Sequence, residues 1–307
     1  MNTLKNKVAI VTGAGRGIGR EHARLFAQLG AAVVVVDRSG ADTVAAEIIA
    51  DGGSAMAFAG NISNWDAARG LVAATVARFG DLHILVNNAG TNEMALFADS
   101  DAGVWERALQ GNLSTTVCPM HAAVGYWKNC AAQGRHIDAA IINTTSGAGL
   151  FGNPGQTHYG AAKAAVAALT LIAAQELSET GIRVNAIAPA ARTPMSEESP
   201  VVAAFMKAPD ASDAFDPWHP RHVSPLVAYL ASPQCRLTGK IFHARGGTIG
   251  CYRGWEIVAN MHSDSPWQLD ELADKIPQLV ADVERQSTPR DNTYALLSAN
   301  LRNEMLR

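Results

Sequence analysis

The chain has 307 residues, 48% hydrophobic and 17% charged, and its 25 basic and 28 acidic groups leave a formal net charge of −3. So many apolar residues with so little net charge exclude a disordered chain and allow a large buried core. The near balance leaves no basic footprint for nucleic acid or anionic lipid, and the apolar run at 31–36 falls far short of the ~20 residues that cross a bilayer.

Taken in order, short β-branched runs alternate with longer stretches of helical period, the rhythm of βαβ units around a parallel sheet. Seven strands are expected, at 7–12, 32–37, 54–58, 82–87, 139–145, 182–187 and 240–245. The fold class is α/β: a doubly wound, parallel, seven-stranded sheet with helices on both faces, its ligand crevice at the carboxyl ends of the strands. Residues 1–250 form this domain. The N-terminus runs directly into the first strand with no apolar leader, and the four cysteines form no CxxC pair, so a reduced, cytoplasmic protein is expected.

After the first strand comes Thr12-Gly13-Ala14-Gly15-Arg16-Gly17-Ile18-Gly19, opening a helical pattern. Glycines let backbone amides and the positive helix end approach a pyrophosphate. The spacing Gly13, Gly17, Gly19 departs from GxGxxG. Asp37 closes the second strand, where a carboxylate accepts from both hydroxyls of an adenosine ribose; this favours NAD over NADP, although Arg16 and Arg38 offer partners for a 2′-phosphate.

Ser146 follows the fifth strand, and Tyr159 and Lys163 lie four apart on a helix and so share a face. An ammonium beside a phenol stabilises phenolate, giving a general base for alcohol oxidation or an acid for ketone reduction. The glycine-rich loop after Ser146 brings Leu150 and Phe151. The proline-rich stretch 190–221, expected as a lid, brings Met195, Val202, Phe205 and Met206. Together these residues are expected to wall a lipophilic pocket for a bulky secondary alcohol. His219 and His222 lack further ligands in register, and no metal is expected. The loop between Lys128 and Asp138 reads as enlarged, and residues 251–307 as a helical extension with an apolar stripe of Trp267, Leu269, Leu272, Ile276, Leu279 and Val280.

Thr12 to Gly19, Asn87-Asn88-Ala89-Gly90, Asn112, Ser146, Tyr159 and Lys163, in this order, resemble the short-chain dehydrogenase/reductase family. The resemblance runs from about residue 5 to residue 250. It implies a Rossmann fold with strand order 3-2-1-4-5-6-7 and hydride transfer with a nicotinamide cofactor. Tyr159 would be the acid/base, Lys163 would bind the ribose and lower the Tyr159 pKa, Ser146 would polarise the carbonyl, and Asn112 would hold a water relaying protons to Lys163. Asn61, where the family often has Asp, and the adjacent Ile62 would meet adenine, Asn88, Ala89 and Gly90 would line the cofactor cleft, and Pro189 and Thr193 would flank the carboxamide. Ala190 stands where a glycine is usual, and Arg192 where an apolar residue is more common. The segments 143–159 and 185–193 also resemble the dehydrogenase unit of peroxisomal multifunctional enzymes and actinobacterial relatives, which implies 3-hydroxyacyl-CoA or steroid substrates. The Ala-rich helix after Tyr159 matches a family subunit interface, so a homodimer or homotetramer is implied. An NADPH-linked 3-oxoacyl reductase and a non-catalytic dinucleotide-binding sensor are the rival readings.

Overall fold

Val33-Val34-Val35-Val36 and Ile84-Leu85-Val86 are buried on both sides, as strands between two helical layers must be. The computed structural model describes residues 3–197, 200–211 and 214–286. Its strands are β1 (Val8–Thr12), β2 (Ala32–Asp37), β3 (Ser54–Ala59), β4 (Ile84–Asn87), β5 (Ala139–Thr144), β6 (Ile182–Pro189), β7 (Ile241–Arg245) and β8 (Thr248–Cys251). They form one sheet in the order β3-β2-β1-β4-β5-β6-β7-β8. The first seven run parallel; β8 pairs antiparallel to β7.

The expected seven-stranded sheet therefore gains an eighth strand. Gly246 and Gly247 join β7 to β8 in a two-residue hairpin, with Arg245 opposite Thr248 and Gly246 at φ +51°. A left-handed position of this kind suits glycine, and a Gly-Gly pair between two short strands is a hairpin signal.

The helices are α1 (Gly17–Gln28), α2 (Ala41–Ala50), α3 (Trp65–Phe79), α4 (Ala102–Ala108), α5 (Thr115–Ala132), α6 (Gly147–Phe151), α7 (Thr157–Glu176), α8 (Pro194–Glu197), α9 (Pro200–Phe205), α10 (Ser224–Ala231) and α11 (Leu269–Gln286). Alternate strand residues face opposite layers. Ala9, Val11, Val33 and Val35 pack with Phe26 of α1, Ile48 of α2 and Leu230 of α10. Ile10, Val34 and Leu85 pack with Leu71 of α3, Trp127 of α5 and Ala173 of α7. Phe26 is fully buried, and its truncation to alanine would cost about 3–5 kcal/mol. Caps fix where helices begin: Asn64 accepts from the Ala67 N–H at 2.8 Å, and Asp101 from the Val104 N–H at 2.9 Å.

The chain reverses its winding between β1 and β4, so a crevice opens above their carboxyl ends. Helix α5 continues to Ala132, leaving a connection of only 133–138 where an enlarged loop was expected. Leu272 and Leu279 of α11 are half-buried, while Leu269, Ile276 and Val280 are exposed. The end of the expected extension, 287–307, lies outside the described residues. No described helix is long and apolar enough to cross a membrane.

Candidate active site

The crevice is a cavity of about 1240 Å³ running from the glycine loop to β8. At one end, Gly13 and Gly17 take left-handed backbone angles, φ +63° and +55°. A Cβ on Gly13 would lie 2.7 Å from the Ala89 Cα, and one on Gly19 only 2.1 Å from the Gly13 carbonyl oxygen. Glycine is thus required by the close approach of β1, α1 and the residues after β4. Asn88 secures that approach, its Nδ2 donating to the Thr12 and Gly13 carbonyls at 3.1 Å, while Thr12 Oγ1 accepts the Asn88 and Ala89 N–H groups at 3.0 Å. Gly13, Arg16, Gly17, Ile18, Ala89 and Gly90 line the cavity; Gly19 is packed behind it. The first turn of α1 has no side-chain cap, which leaves its amides and dipole for an anion.

Asp37 lines the cavity from the end of β2. Its Oδ2 accepts the Gly15 N–H at 2.9 Å, and its Oδ1 the Arg38 and Ser39 N–H groups at 2.7 and 3.3 Å. Arg38, Asn61 and Ile62 stand on the same wall. Asn61 Oδ1 accepts the Ser63 N–H at 3.0 Å, so part of its acceptor capacity is spent on its own turn.

In the middle stand Ser146, Tyr159 and Lys163, all lining the cavity. Ser146 begins α6, and its Oγ accepts the Ala148 N–H at 3.2 Å. Burial pushes the Tyr159 phenol above its usual value, and a hydrogen bond from the Ser146 hydroxyl draws it partly back. Burial lowers the Lys163 ammonium to about 8. Lys163 Nζ lies 5.8 Å from the Tyr159 ring centroid and donates to the Thr144 carbonyl at 2.9 Å. Burial thus disfavours the charged form of both groups.

Asn112 does not line the cavity. It sits in a stretch of π-helix, Leu109–Ser114, between α4 and α5. Its Nδ2 donates to the Thr91 and Ala108 carbonyls at 2.9 Å, and its Oδ1 accepts the Thr91 N–H at 3.2 Å. A Cβ on Gly90 would come within 2.8 Å of Asn112 Oδ1 and 3.3 Å of Lys163 Nζ, so this glycine separates the two.

Pro189, Thr193, Met195, Val202 and Met206 wall the far side, with Phe151 opposite. Leu150 and Phe205 do not join them. The short α6 turns Leu150 onto Ala167, Ala186 and Ile241, and Phe205 packs its ring against Trp218 at 5.5 Å. The two ends of the expected lid are tied together. The Arg192 guanidinium meets Asp216 at 2.5 Å and the Met206 carbonyl at 2.8 Å, and the Arg192 N–H donates to the Trp218 carbonyl at 2.7 Å. Sequence reasoning did not place Asn92, Gln156, His243 or Tyr252 in the site, yet all four line the cavity. The Gly-Gly hairpin brings Tyr252 there, and Gln156 stands one turn before Tyr159. Among the described residues, no three His, Cys, Asp or Glu side chains gather into a metal-binding group.

Residues 7–200 match the family model described as short chain dehydrogenase. The chain is 36% identical over 310 residues to hydroxyacyl-CoA dehydrogenase ChsB1 of Mycobacterium tuberculosis, spanning 97% of this chain and 94% of that protein. A solved short chain dehydrogenase from Mycobacterium avium superposes with a TM-score of 0.83 at 37% identity, covering 94% of this chain and 98% of the other. A 3-ketoacyl-(acyl-carrier-protein) reductase from Brucella melitensis complexed with NADH gives a TM-score of 0.70 at 31% identity, covering 80% and 98%. With the sheet order, the glycine loop and the Ser146, Tyr159, Lys163 cluster in one crevice, these matches identify the chain as an oxidoreductase of the short-chain dehydrogenase/reductase family.

Proposed function

We propose that the protein interconverts a bulky lipophilic secondary alcohol and its ketone, of 3-hydroxyacyl or hydroxysteroid type, with NAD as cofactor. The observation that carries this is the opening of Ser146, Tyr159 and Lys163 into the same cavity as the uncapped first turn of α1. The site fits a dinucleotide: Gly13 and Gly19 exclude any Cβ where the loop must close, and Asp37 presents a carboxylate at the ribose end. When bound, the nicotinamide supplies or accepts the hydride. Ser146 holds the substrate oxygen, and Tyr159 gives or takes its proton through the phenolic oxygen. Lys163 holds positive charge beneath that phenol and binds the ribose. Asn112 keeps Thr91 and the end of β4 in place through its side chain; a water relay at this point would use its backbone carbonyl, which already accepts the Thr116 hydroxyl at 2.9 Å.

The Asp37 carboxylate supports NAD over NADP, because two like charges about 4 Å apart at an effective dielectric near 20 repel by about 4 kcal/mol. Met195, Val202, Met206 and Phe151 support a lipophilic substrate, as does the similarity to a hydroxyacyl-CoA dehydrogenase and a 3-ketoacyl reductase. A cytoplasmic homodimer or homotetramer completes the reading, and sedimentation as a concentration-independent monomer would remove the oligomer from it. The direct test of function follows nicotinamide absorbance with 3-hydroxyacyl thioesters, hydroxysteroids and small polar alcohols. Turnover of either bulky class supports the proposal; turnover of small polar alcohols alone overturns it.

A further inference from the structure

The wall beside Tyr159 is unlike the apolar wall opposite. Asn92, Asn153 and Gln156 all line the cavity there. Their amides form a ladder: Asn153 Nδ2 donates to Gln156 Oε1 at 2.7 Å, and Gln156 Nε2 donates to Asn92 Oδ1 at 2.9 Å. Three further bonds make the ladder rigid. The Ala95 N–H donates to the Gly155 carbonyl at 2.9 Å, the Gly160 N–H to the Gln156 carbonyl at 2.6 Å, and the fully buried His158 Nε2 to the Glu93 carbonyl at 2.8 Å. The Glu93 side chain is in turn held by Arg107, with contacts of 3.0 and 3.1 Å.

Each primary amide carries two N–H groups. The bonds above use one on Gln156 and none on Asn92. Gln156 stands three residues before Tyr159, at the N-terminal boundary of α7, and both residues line the same cavity.

We propose that Asn92 and Gln156 form a subsite for a second carbonyl oxygen of the substrate, and that the substrate is accordingly a 3-hydroxyacyl thioester, oxidised to the 3-oxoacyl thioester, rather than a steroid. The inference rests on the function proposed above. A flat hydrocarbon skeleton would leave these amides desolvated against apolar surface, which is unfavourable. A thioester carbonyl accepts from them while its acyl chain lies on Met195, Val202 and Met206.

The test compares, in each protein sample, a 3-oxoacyl thioester with a methyl ketone of equal chain length lacking the second oxygen. Gln156→Leu and Asn92→Leu are each expected to lower kcat/KM for the thioester about tenfold, the loss of one hydrogen bond to a polar substrate group. The methyl ketone should change less than about twofold. Because both substrates report on one sample, the ratio is independent of the folded fraction, and the second variant acts without touching α7. Parallel losses on both substrates, or no loss on either, overturn the subsite while leaving the oxidoreductase reading intact. Wild-type protein that turns over neither substrate overturns the function and the subsite with it.

Discussion

The Lys163 ammonium lies 5.8 Å from the ring centroid of Tyr159 and donates to the Thr144 carbonyl, so the cation faces the phenol from a fixed backbone anchor. Burial lowers Lys163 to about 8 and raises Tyr159. Alcohol oxidation needs the phenolate and therefore gains with pH. Lys163→Met removes the cation that favours phenolate, so the rising limb of kcat/KM should move to higher pH. A pH profile of the variant that superposes on wild type would separate Lys163 from proton transfer.

Asp37 holds three backbone N–H groups, those of Gly15, Arg38 and Ser39. Asp37→Ser removes the negative charge and keeps a hydroxyl near the loop. The ratio of kcat/KM with NAD to that with NADP should fall by about 10- to 100-fold, the equivalent of roughly 1.4–2.8 kcal/mol of relieved repulsion. An unchanged ratio would place cofactor choice elsewhere on the cavity wall.

Arg192 and Asp216 join the two ends of the segment bearing Met195, Val202 and Met206. Burial pushes the Asp216 carboxyl up, but Arg192 and the Trp218 N–H hold it below the usual range. Arg192→Leu strands that carboxylate with 13% of its side chain exposed, at a cost of about 2–3 kcal/mol in denaturant stability. KM for a bulky substrate should rise more than KM for a small ketone. Combining Arg192→Asp with Asp216→Arg should recover part of both losses.

Folding lowers His22 from 6.5 to about 3 by burial, and its Nδ1 meets Ser224 Oγ at 2.8 Å between α1 and α10. A depressed histidine favours the neutral ring, so its contribution is fully present above pH 6.5 and is lost as pH falls from 6.5 toward 3. The expected slope is about 1.4 kcal/mol per pH unit below 6.5. His22→Gln should flatten it, leaving a smaller slope from His83 and His219, which burial also lowers. Urea titrations at pH 7 and pH 5 measure the difference.

Legibility in the sequence followed how local each signal was. The first seven strands were readable because Val33 to Val36 and Ile84 to Val86 declare burial on both faces by composition alone. β8 was missed because four residues, Thr248 to Cys251, carry almost no periodic signal, although Gly246-Gly247 announced the turn. Tyr159 and Lys163 were readable from helical spacing. Leu150 and Phe205 were not: proximity in sequence to Ser146 or the lid does not say which way a five- or six-residue helix turns its side chains. The amide ladder needed two segments brought together, Asn92 after β4 with Asn153 and Gln156 before α7, and no spacing encodes that. The proton-transfer setting was half legible, since the Lys163 partner could be named but the desolvation that shifts both groups depends on the finished cavity.

The most direct test of the central claim is hydride transfer by Tyr159→Phe, followed by nicotinamide absorbance with a substrate that the wild type turns over, alongside dinucleotide binding. Binding should stay within about threefold of wild type, because the cavity loses one hydroxyl, while kcat falls by roughly 10²–10⁴. A Tyr159→Phe protein that binds the dinucleotide and turns over at the wild-type rate would contradict the account.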